Sequence, residues 1–129
     1  MIVVDTSVWI GHFRNEKSNA VAKLRALPDL NDVIVGDLVL LECLQGARNE
    51  KHAAAIGAAL RAFRVERMLD ADLAEQAARG YRALRDAGLT PRKTIDLIIA
   101  TFCIARGYRL LHQDSDFEPM ATHLGLLVL

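Results

Sequence analysis

The residues IVVDTSVWI, at positions 2–10, combine two patterns that together indicate the fold class. Its first three residues are apolar and lack the alternation of a strand with one face in water, so they predict a strand covered on both faces. The residues Asp5, Thr6 and Ser7 are good helix-capping residues, and a helical pattern follows over 7–14. A buried strand that leads directly into a helix is typical of α/β proteins with a parallel sheet.

The same alternation of strand and helix continues to the end of the chain. Strands are predicted at 2–4, 33–35, 63–65, 109–111 and 126–129, and helices at 7–14, 19–27, 37–47, 50–62, 71–87, 93–106 and 115–122. No internal repeat, low-complexity tract or linker interrupts them. We therefore predict an α/β fold with one domain over residues 1–129, in which a parallel five-stranded sheet is flanked by helices.

Composition excludes several classes of protein. Apolar residues make up 52% of the 129 residues, which excludes a disordered chain. Sixteen basic and sixteen acidic residues cancel, so only local charge can indicate a nucleic-acid binder. The longest apolar stretch, LIIATFCIA, is too short to span a membrane, and the two cysteines, Cys43 and Cys103, lie in apolar helical patterns. The sequence predicts a reduced cytoplasmic protein without a membrane segment.

Acidic residues recur where the predicted strands end. Asp5 ends the first strand, Glu42 lies in the first turns of the helix after the second strand, and Asp114 and Asp116 follow the fourth strand. Asp96 lies in the first turn of the helix that leads into the fourth strand. Ligands of open α/β sheets bind beyond the carboxyl ends of the strands. These residues therefore predict an acidic pocket at that edge.

Such a cluster needs a chemical reason, because neighbouring carboxylates repel by roughly 4 kcal/mol per pair at an effective dielectric constant near 20. Proton uptake or a bound cation relieves the repulsion. Oxygen ligands without a histidine or cysteine set match Mg²⁺, with Mn²⁺ as its substitute. A metal of this kind activates water and neutralises a leaving oxygen, so the pocket predicts metal-assisted hydrolysis of phosphodiesters.

A purely structural role is the alternative for several of these acids. Asp5 suits the cap of the first helix, and Asp96 suits the dipole of its own helix. Asp114 and Asp116 suit the start of the helix at 115–122, and the structural reading is strongest for Asp116. By contrast, Glu42 interrupts the apolar run LVLLECL, where an unpaired acid has no structural reason to lie.

Three other residues have a structural prediction. Asp37 is expected to be the N-cap of its helix, His112 to be a packing or hydrogen-bonding residue, and Trp9 to lie in the core or at an interface. Ser7 has no histidine partner in a recognisable motif, so nucleophilic catalysis is not supported.

Four blocks of the chain together resemble a known family. They are VVDTSVWI at the N-terminus, LECLQG at 41–46, TIDLIIA at 94–100 and LLHQDSDF at 110–117. In order and spacing they resemble the signature blocks of PIN domains, most closely those of VapC-type toxins from type II toxin–antitoxin pairs. The resemblance implies a Mg²⁺- or Mn²⁺-dependent endoribonuclease that cuts structured RNA, often tRNA or rRNA. It also implies a homodimer that a cognate VapB-type antitoxin silences.

The resemblance assigns roles residue by residue. Catalysis and metal binding go to the four acids that match the family motifs: Asp5, Glu42, Asp96 and Asp114. Asp116 matches a more variable fifth acid that supports the metal, and Thr6 matches a small hydroxyl residue that helps to orient the first aspartate. Gln113 departs from the family pattern, which puts substrate contacts in doubt and leaves the metal ligands intact.

Basic residues predict where RNA would bind. Arg92 and Lys93 stand just before Asp96 and are the candidate phosphate contacts, whereas the arginines at 79, 82 and 85 fit a solvated helix face. The alternatives are another metal-dependent phosphodiesterase and a binding module of the same fold whose acidic pocket is inert. A receiver domain is disfavoured, because it needs an acidic pair after the first strand and a lysine near the last, and no lysine follows Lys93.

Overall fold

A parallel five-stranded sheet forms the centre of the computed structural model, which describes residues 1–129. The strand order is β3-β2-β1-β4-β5, and every pairing is parallel. The strands are β1 Ile2–Val4, β2 Val33–Gly36, β3 Arg64–Glu66, β4 Arg109–Leu111 and β5 Leu127–Val128. The predicted α/β class and the presence of all five strands are confirmed, although β5 is limited to Leu127–Val128 of the predicted 126–129. β3 begins one residue later than predicted, because Phe63 still belongs to the turn that ends the preceding helix, where its amide donates to the Leu60 carbonyl.

Seven α-helices connect or follow the strands. They are α1 Thr6–Phe13, α2 Asn19–Arg25, α3 Asp37–Gln45, α4 Glu50–Arg61, α5 Ala71–Asp86, α6 Thr94–Arg106 and α7 Glu118–Leu124. Single 3-10 turns lie at Leu30–Asp32 and Ser115–Phe117. The second turn occupies the start of the helix predicted at 115–122, so α7 begins later than expected, with Pro119 in its first turn. None of the helices has the length and hydrophobicity needed to cross a bilayer.

Burial explains which strands lack alternation. The last two residues of β1, Val3 and Val4, and the last two of β4, Leu110 and Leu111, are buried. All four residues of β2 are buried as well. The edge strands differ, since Val65 of β3 and Leu127 of β5 are exposed. The unbroken apolar runs at 2–4, 33–35 and 109–111 therefore belong to the strands in the middle of the sheet, where helices cover both faces.

The carboxyl ends of the central strands lie side by side. Asp5 directly follows β1, and its amide donates to the Leu111 carbonyl at the end of β4. α3 begins directly after β2 at Asp37. The connections that leave this edge therefore start close together, and their first residues share one rim of the sheet.

Asp37 is structural, although not in the predicted way. The N-cap of α3 is Gly36, and Asp37 is the first helical residue. Its Oδ1 accepts a hydrogen bond of 3.0 Å from the Met68 amide. The side chain therefore fixes the segment after β3 against the start of α3, and it does not cap its own helix.

Candidate active site

Asp5 combines a structural contact with a place in the acidic cluster. It is the N-cap of α1, and its Oδ2 accepts hydrogen bonds from the Ser7 amide at 3.0 Å and the Ser7 hydroxyl at 2.6 Å. The residue is only 4% exposed. Burial raises the pKa of Asp5 above its usual value, although the hydrogen bonds from Ser7 oppose this shift. The sequence left two roles open for Asp5, helix capping and membership of the acidic cluster. Asp5 has both.

Asp96 is the acid whose charged form is most strongly disfavoured by its surroundings. It lies in the first turn of α6 and is 4% exposed. Its Oδ2 is buried and accepts no hydrogen bond. Burial, followed by the negative charge of Asp5, raises the pKa of Asp96 to about 6. A buried carboxylate oxygen that accepts no hydrogen bond is unusual in a folded protein, and its lone pair is available to a cation.

Asp114 and Asp116 complete a triad with Asp96. Asp114 caps the 3-10 turn after β4 by accepting a 2.9 Å hydrogen bond from the Asp116 amide. One carboxylate oxygen from each of Asp96, Asp114 and Asp116 lies within 4.8 Å of the other two. We call these three residues the acidic triad. Asp114 therefore does have the capping role considered for it, and this hydrogen bond orients its carboxylate toward Asp96 and Asp116.

Glu42 borders the triad from α3. It is partly buried, and its Oε1 accepts a 2.7 Å hydrogen bond from the Thr6 hydroxyl. Burial raises the pKa of Glu42, and the charges of Asp5 and Asp114 act in the same direction. Asp5 and Glu42 lie outside the 4.8 Å group, but their charges raise the pKa of Asp96 within it. The structure thus brings together all five acids that the sequence singled out.

The predicted RNA-binding pair lies over this cluster. Lys93 Nζ is 3.5 Å from Asp114 Oδ2 and 4.0 Å from Asp96 Oδ2. Arg92 Nε is 3.9 Å from Asp116 Oδ1. The Asp96 charge, followed by that of Asp114, raises the pKa of Lys93. Both basic side chains are therefore engaged with the acids, which the sequence did not anticipate.

Comparison with known proteins identifies the family. The family model for the PIN domain matches residues 2–122.

The chain belongs to the PIN-domain family.

Two curated relatives place this PIN domain among VapC proteins. The VapC ribonuclease Mb1587 of Mycobacterium bovis and ribonuclease VapC11 of Mycobacterium tuberculosis are each 32% identical over 123 residues. Each alignment covers 94% of this chain and 92% of the relative. The resemblance recognised in the four sequence blocks is therefore confirmed over the length of the domain.

Solved structures share the fold. VapBC2 of Rickettsia felis, bound to a DNA fragment from its promoter, has a TM-score of 0.79 at 18% identity and covers 100% of this chain and 98% of its own. VapC20 of Mycobacterium tuberculosis, described as a Sarcin-Ricin loop cleaving toxin, has a TM-score of 0.70 at 25% identity, with coverages of 92% and 93%. The sheet order and helices described above are thus those of VapC structures.

The structure corrects the expected role of one hydroxyl group in this PIN domain. Thr6 was expected to orient Asp5, but its hydroxyl donates to Glu42. Ser7, which the sequence had set aside, donates both its amide and its hydroxyl to Asp5. The motif DTS contained a signal for this contact, because a serine two positions after an aspartate at a helix start is well placed to bond its carboxylate.

Gln113 and His112 hold the loop that carries Asp114. The Gln113 side chain donates to the Ser7 carbonyl at 3.0 Å and accepts from the Ser18 hydroxyl at 2.7 Å, so it joins the starts of α1 and α2. The Nδ1 of His112 accepts a 3.2 Å hydrogen bond from the Asp114 amide, and its ring packs on Phe117. His112 is therefore a hydrogen-bonding and packing residue, as predicted, and Gln113 joins elements within the domain.

The donor set of this PIN domain fits a hard divalent cation. The potential metal ligands that lie within 4.8 Å of one another are all carboxylate oxygens, and no cysteine or histidine is among them. The buried Oδ2 of Asp96 supplies a lone pair that no protein donor uses. Oxygen-only sites with several acids are those that Mg²⁺ and Mn²⁺ favour.

Proposed function

We propose that this protein is a metal-dependent endoribonuclease that hydrolyses RNA phosphodiesters and acts as the toxin of a toxin–antitoxin pair. The observation that carries the proposal is the convergence of carboxylates from four segments around a buried, unbonded oxygen of Asp96. Membership of the PIN-domain family and similarity to relatives named as ribonucleases support it. The domain proposed for this activity spans residues 1–129.

The proposed ligands of Mg²⁺ or Mn²⁺ are Asp5, Glu42, Asp96 and Asp114, with Asp116 in a supporting position. When bound, such a cation supplies an activated water for in-line attack and neutralises charge on the leaving oxygen. The chain itself contributes orientation. Ser7 fixes the carboxylate of Asp5, and Thr6 fixes that of Glu42, so both acids are held in place before substrate arrives.

Cleavage assays with matched variants test the proposal. Structured RNA, including tRNA and rRNA stem-loops, is incubated with the parent protein in Mg²⁺, in Mn²⁺ and in EDTA. Cleavage is expected with either metal and not in EDTA. Asp96→Asn should lower the cleavage rate by about 100-fold or more, whereas Asp86→Asn, an exposed acid at the end of α5, should match the parent.

The outcome also separates the alternatives. Metal binding without cleavage of any RNA, together with hydrolysis of other phosphodiesters, would indicate a different phosphodiesterase. The absence of both metal binding and cleavage would indicate a binding module with an inert acidic pocket, and the proposed activity would then be wrong.

The proposed partner is a VapB-type antitoxin that places a basic side chain in the acidic pocket. An arginine binds carboxylates in a bidentate manner and would compete with the metal for the triad. Several structural neighbours of this fold are themselves VapBC complexes. Inhibition that persists after the basic residues of the antitoxin contact are neutralised would contradict this mechanism. A homodimer is also proposed, and light scattering of the purified chain tests it.

A further inference from the structure

Lys93 holds an unusual position for an exposed lysine. Its side chain is 59% exposed, yet its Nζ lies between two members of the acidic triad, 3.5 Å from Asp114 and 4.0 Å from Asp96. The Asp96 oxygen that it approaches is the one that accepts no hydrogen bond. Lys93 is therefore the only positive charge within 4.0 Å of that buried oxygen.

The same two carboxylates belong to the proposed metal ligands. An ammonium group and a divalent cation cannot both lie against Asp96 Oδ2 and Asp114 Oδ2 without strong repulsion between like charges. The lysine side chain has a flexible four-carbon stem, so it can leave without any movement of the backbone. Arg92 differs, because it contacts only Asp116 at 3.9 Å and is 81% exposed.

We infer that Lys93 is a built-in counter-cation of the acidic triad, which neutralises Asp96 and Asp114 in the metal-free protein and is displaced when a divalent cation binds. Lys93 thereby lowers the apparent affinity for metal while it keeps the empty cluster stable. The inference rests on the proposed metal-dependent function, and it assigns to Lys93 a role in metal loading that is separate from any contact with RNA.

The test measures metal affinity and metal-free stability in three variants. Lys93→Gln removes the charge, Lys93→Arg keeps it, and Lys51→Gln removes an equal charge from α4, where Lys51 makes no ion pair within 4.0 Å. Mn²⁺ is titrated into each protein by calorimetry. The Kd for Mn²⁺ should fall about 3- to 10-fold in Lys93→Gln, and stay near the parent value in Lys93→Arg and Lys51→Gln.

Melting temperatures give the second measurement. In EDTA, Lys93→Gln should melt about 2 °C below the parent, because the triad loses its counter-charge. In excess Mn²⁺ this difference should vanish or reverse, since the variant binds the ion more tightly. Lys51→Gln should follow the parent in both conditions.

The outcomes that overturn the inference are distinct from those that overturn the function. A Lys93→Gln variant that binds Mn²⁺ no more tightly than the parent, while the parent does bind, would exclude competition and leave the proposed function standing. An equal gain in Mn²⁺ affinity in Lys51→Gln would show that the effect depends only on the net charge of the protein, and it would also overturn the inference. A parent and a Lys93→Gln variant that both fail to bind Mn²⁺ would overturn the metal-dependent function and the competition together.

Discussion

Asp96, at the scale of one residue, is a carboxylate whose surroundings disfavour its charge. The side chain is buried among like charges, and one of its oxygens has no donor. Without metal, Asp96→Asn keeps the shape of the side chain and removes one negative charge from the cluster. The variant should therefore equal or exceed the parent in free energy of unfolding, by up to ~1 kcal/mol.

Addition of millimolar Mg²⁺ or Mn²⁺ should reverse this order, because the parent gains stability by binding the ion and the variant gains much less. Chemical unfolding with and without metal measures both effects. The same reversal is expected in weaker form for Asp5→Asn, Glu42→Gln and Asp114→Asn, and least for Asp116→Asn. If the free energy of unfolding of metal-free Asp96→Asn were several kcal/mol below that of the parent, Asp96 would instead be a structural hydrogen-bonding residue.

The raised pKa of Asp96 also predicts how stability depends on pH. In the folded, metal-free protein the pKa is about 6, whereas its ordinary value is 3.8. Between these values the folded state holds a proton that the unfolded state has lost, so this residue lowers stability as pH rises through that window. Asp5 and Glu42 act in the same direction.

The stability gap between Asp96→Asn and the parent should therefore widen in favour of the variant from pH 4 to pH 7. Urea unfolding in EDTA at several pH values measures this gap, and Asp86→Asn serves as the exposed control. A gap that stays constant across the range would mean that Asp96 is not protonated in the folded state at mildly acidic pH.

At the scale of the element, the junction of β2 and α3 depends on a glycine. Gly36 ends β2 and caps α3, and the fully buried Met68 side chain packs against its Cα. A Cβ at this position would overlap the Met68 sulfur. Gly36 therefore permits the close approach of Met68, and the constraint is steric because its φ of −72° is open to any residue.

Gly36→Ala should accordingly destabilise the protein by about 1–3 kcal/mol, because Met68 must leave its position in the core. The matched control is Gly57→Ala in α4, where a new methyl group would meet only Leu44 at an ordinary 3.6 Å. That change should stabilise the protein by about 0.5–1 kcal/mol through helix propensity. Thermal unfolding of both variants tests the pair, and equal melting temperatures would contradict the steric argument.

At the scale of the whole molecule, zero net charge leaves RNA binding to local basic residues. Arg92 and Lys93 remain the candidate phosphate contacts, because displacement from the triad would free both for the substrate. The double variant Arg92→Ala, Lys93→Ala should weaken RNA binding in Mn²⁺ and reduce the slope of log affinity against log salt by about 1 to 2.

Fluorescence anisotropy measures this slope in a Glu42→Gln background, which should slow cleavage if Glu42 is a metal ligand as proposed. The control is the double variant Lys51→Ala, Arg61→Ala, which removes the same charge from the exposed surface of α4. If both double variants change the slope equally, Arg92 and Lys93 have no specific part in the RNA footprint.

The order of the elements and the identity of the acids follow from the amino-acid sequence. Buried strands and capped helices depend on hydrogen bonding and apolar periodicity over a few neighbouring residues, so IVV, VIV and RLL could be placed from local pattern alone. The rule that ligands bind at the carboxyl ends of parallel strands then placed Asp5, Glu42 and Asp114 on one rim.

The contacts between side chains, by contrast, depend on the three-dimensional packing of distant segments. Thr6 and Glu42 are 36 positions apart, and Ser7 and Gln113 are 106 positions apart, so no local pattern reports their hydrogen bonds. The contact between Lys93 and Asp114 was hidden for the same reason, since the pairing of β4 with β1 brings Asp114 there, whereas Asp96 is a local i,i+3 neighbour of Lys93. Polar contacts need alignment within a few tenths of an ångström, and the packing of the whole sheet and its helices sets that alignment.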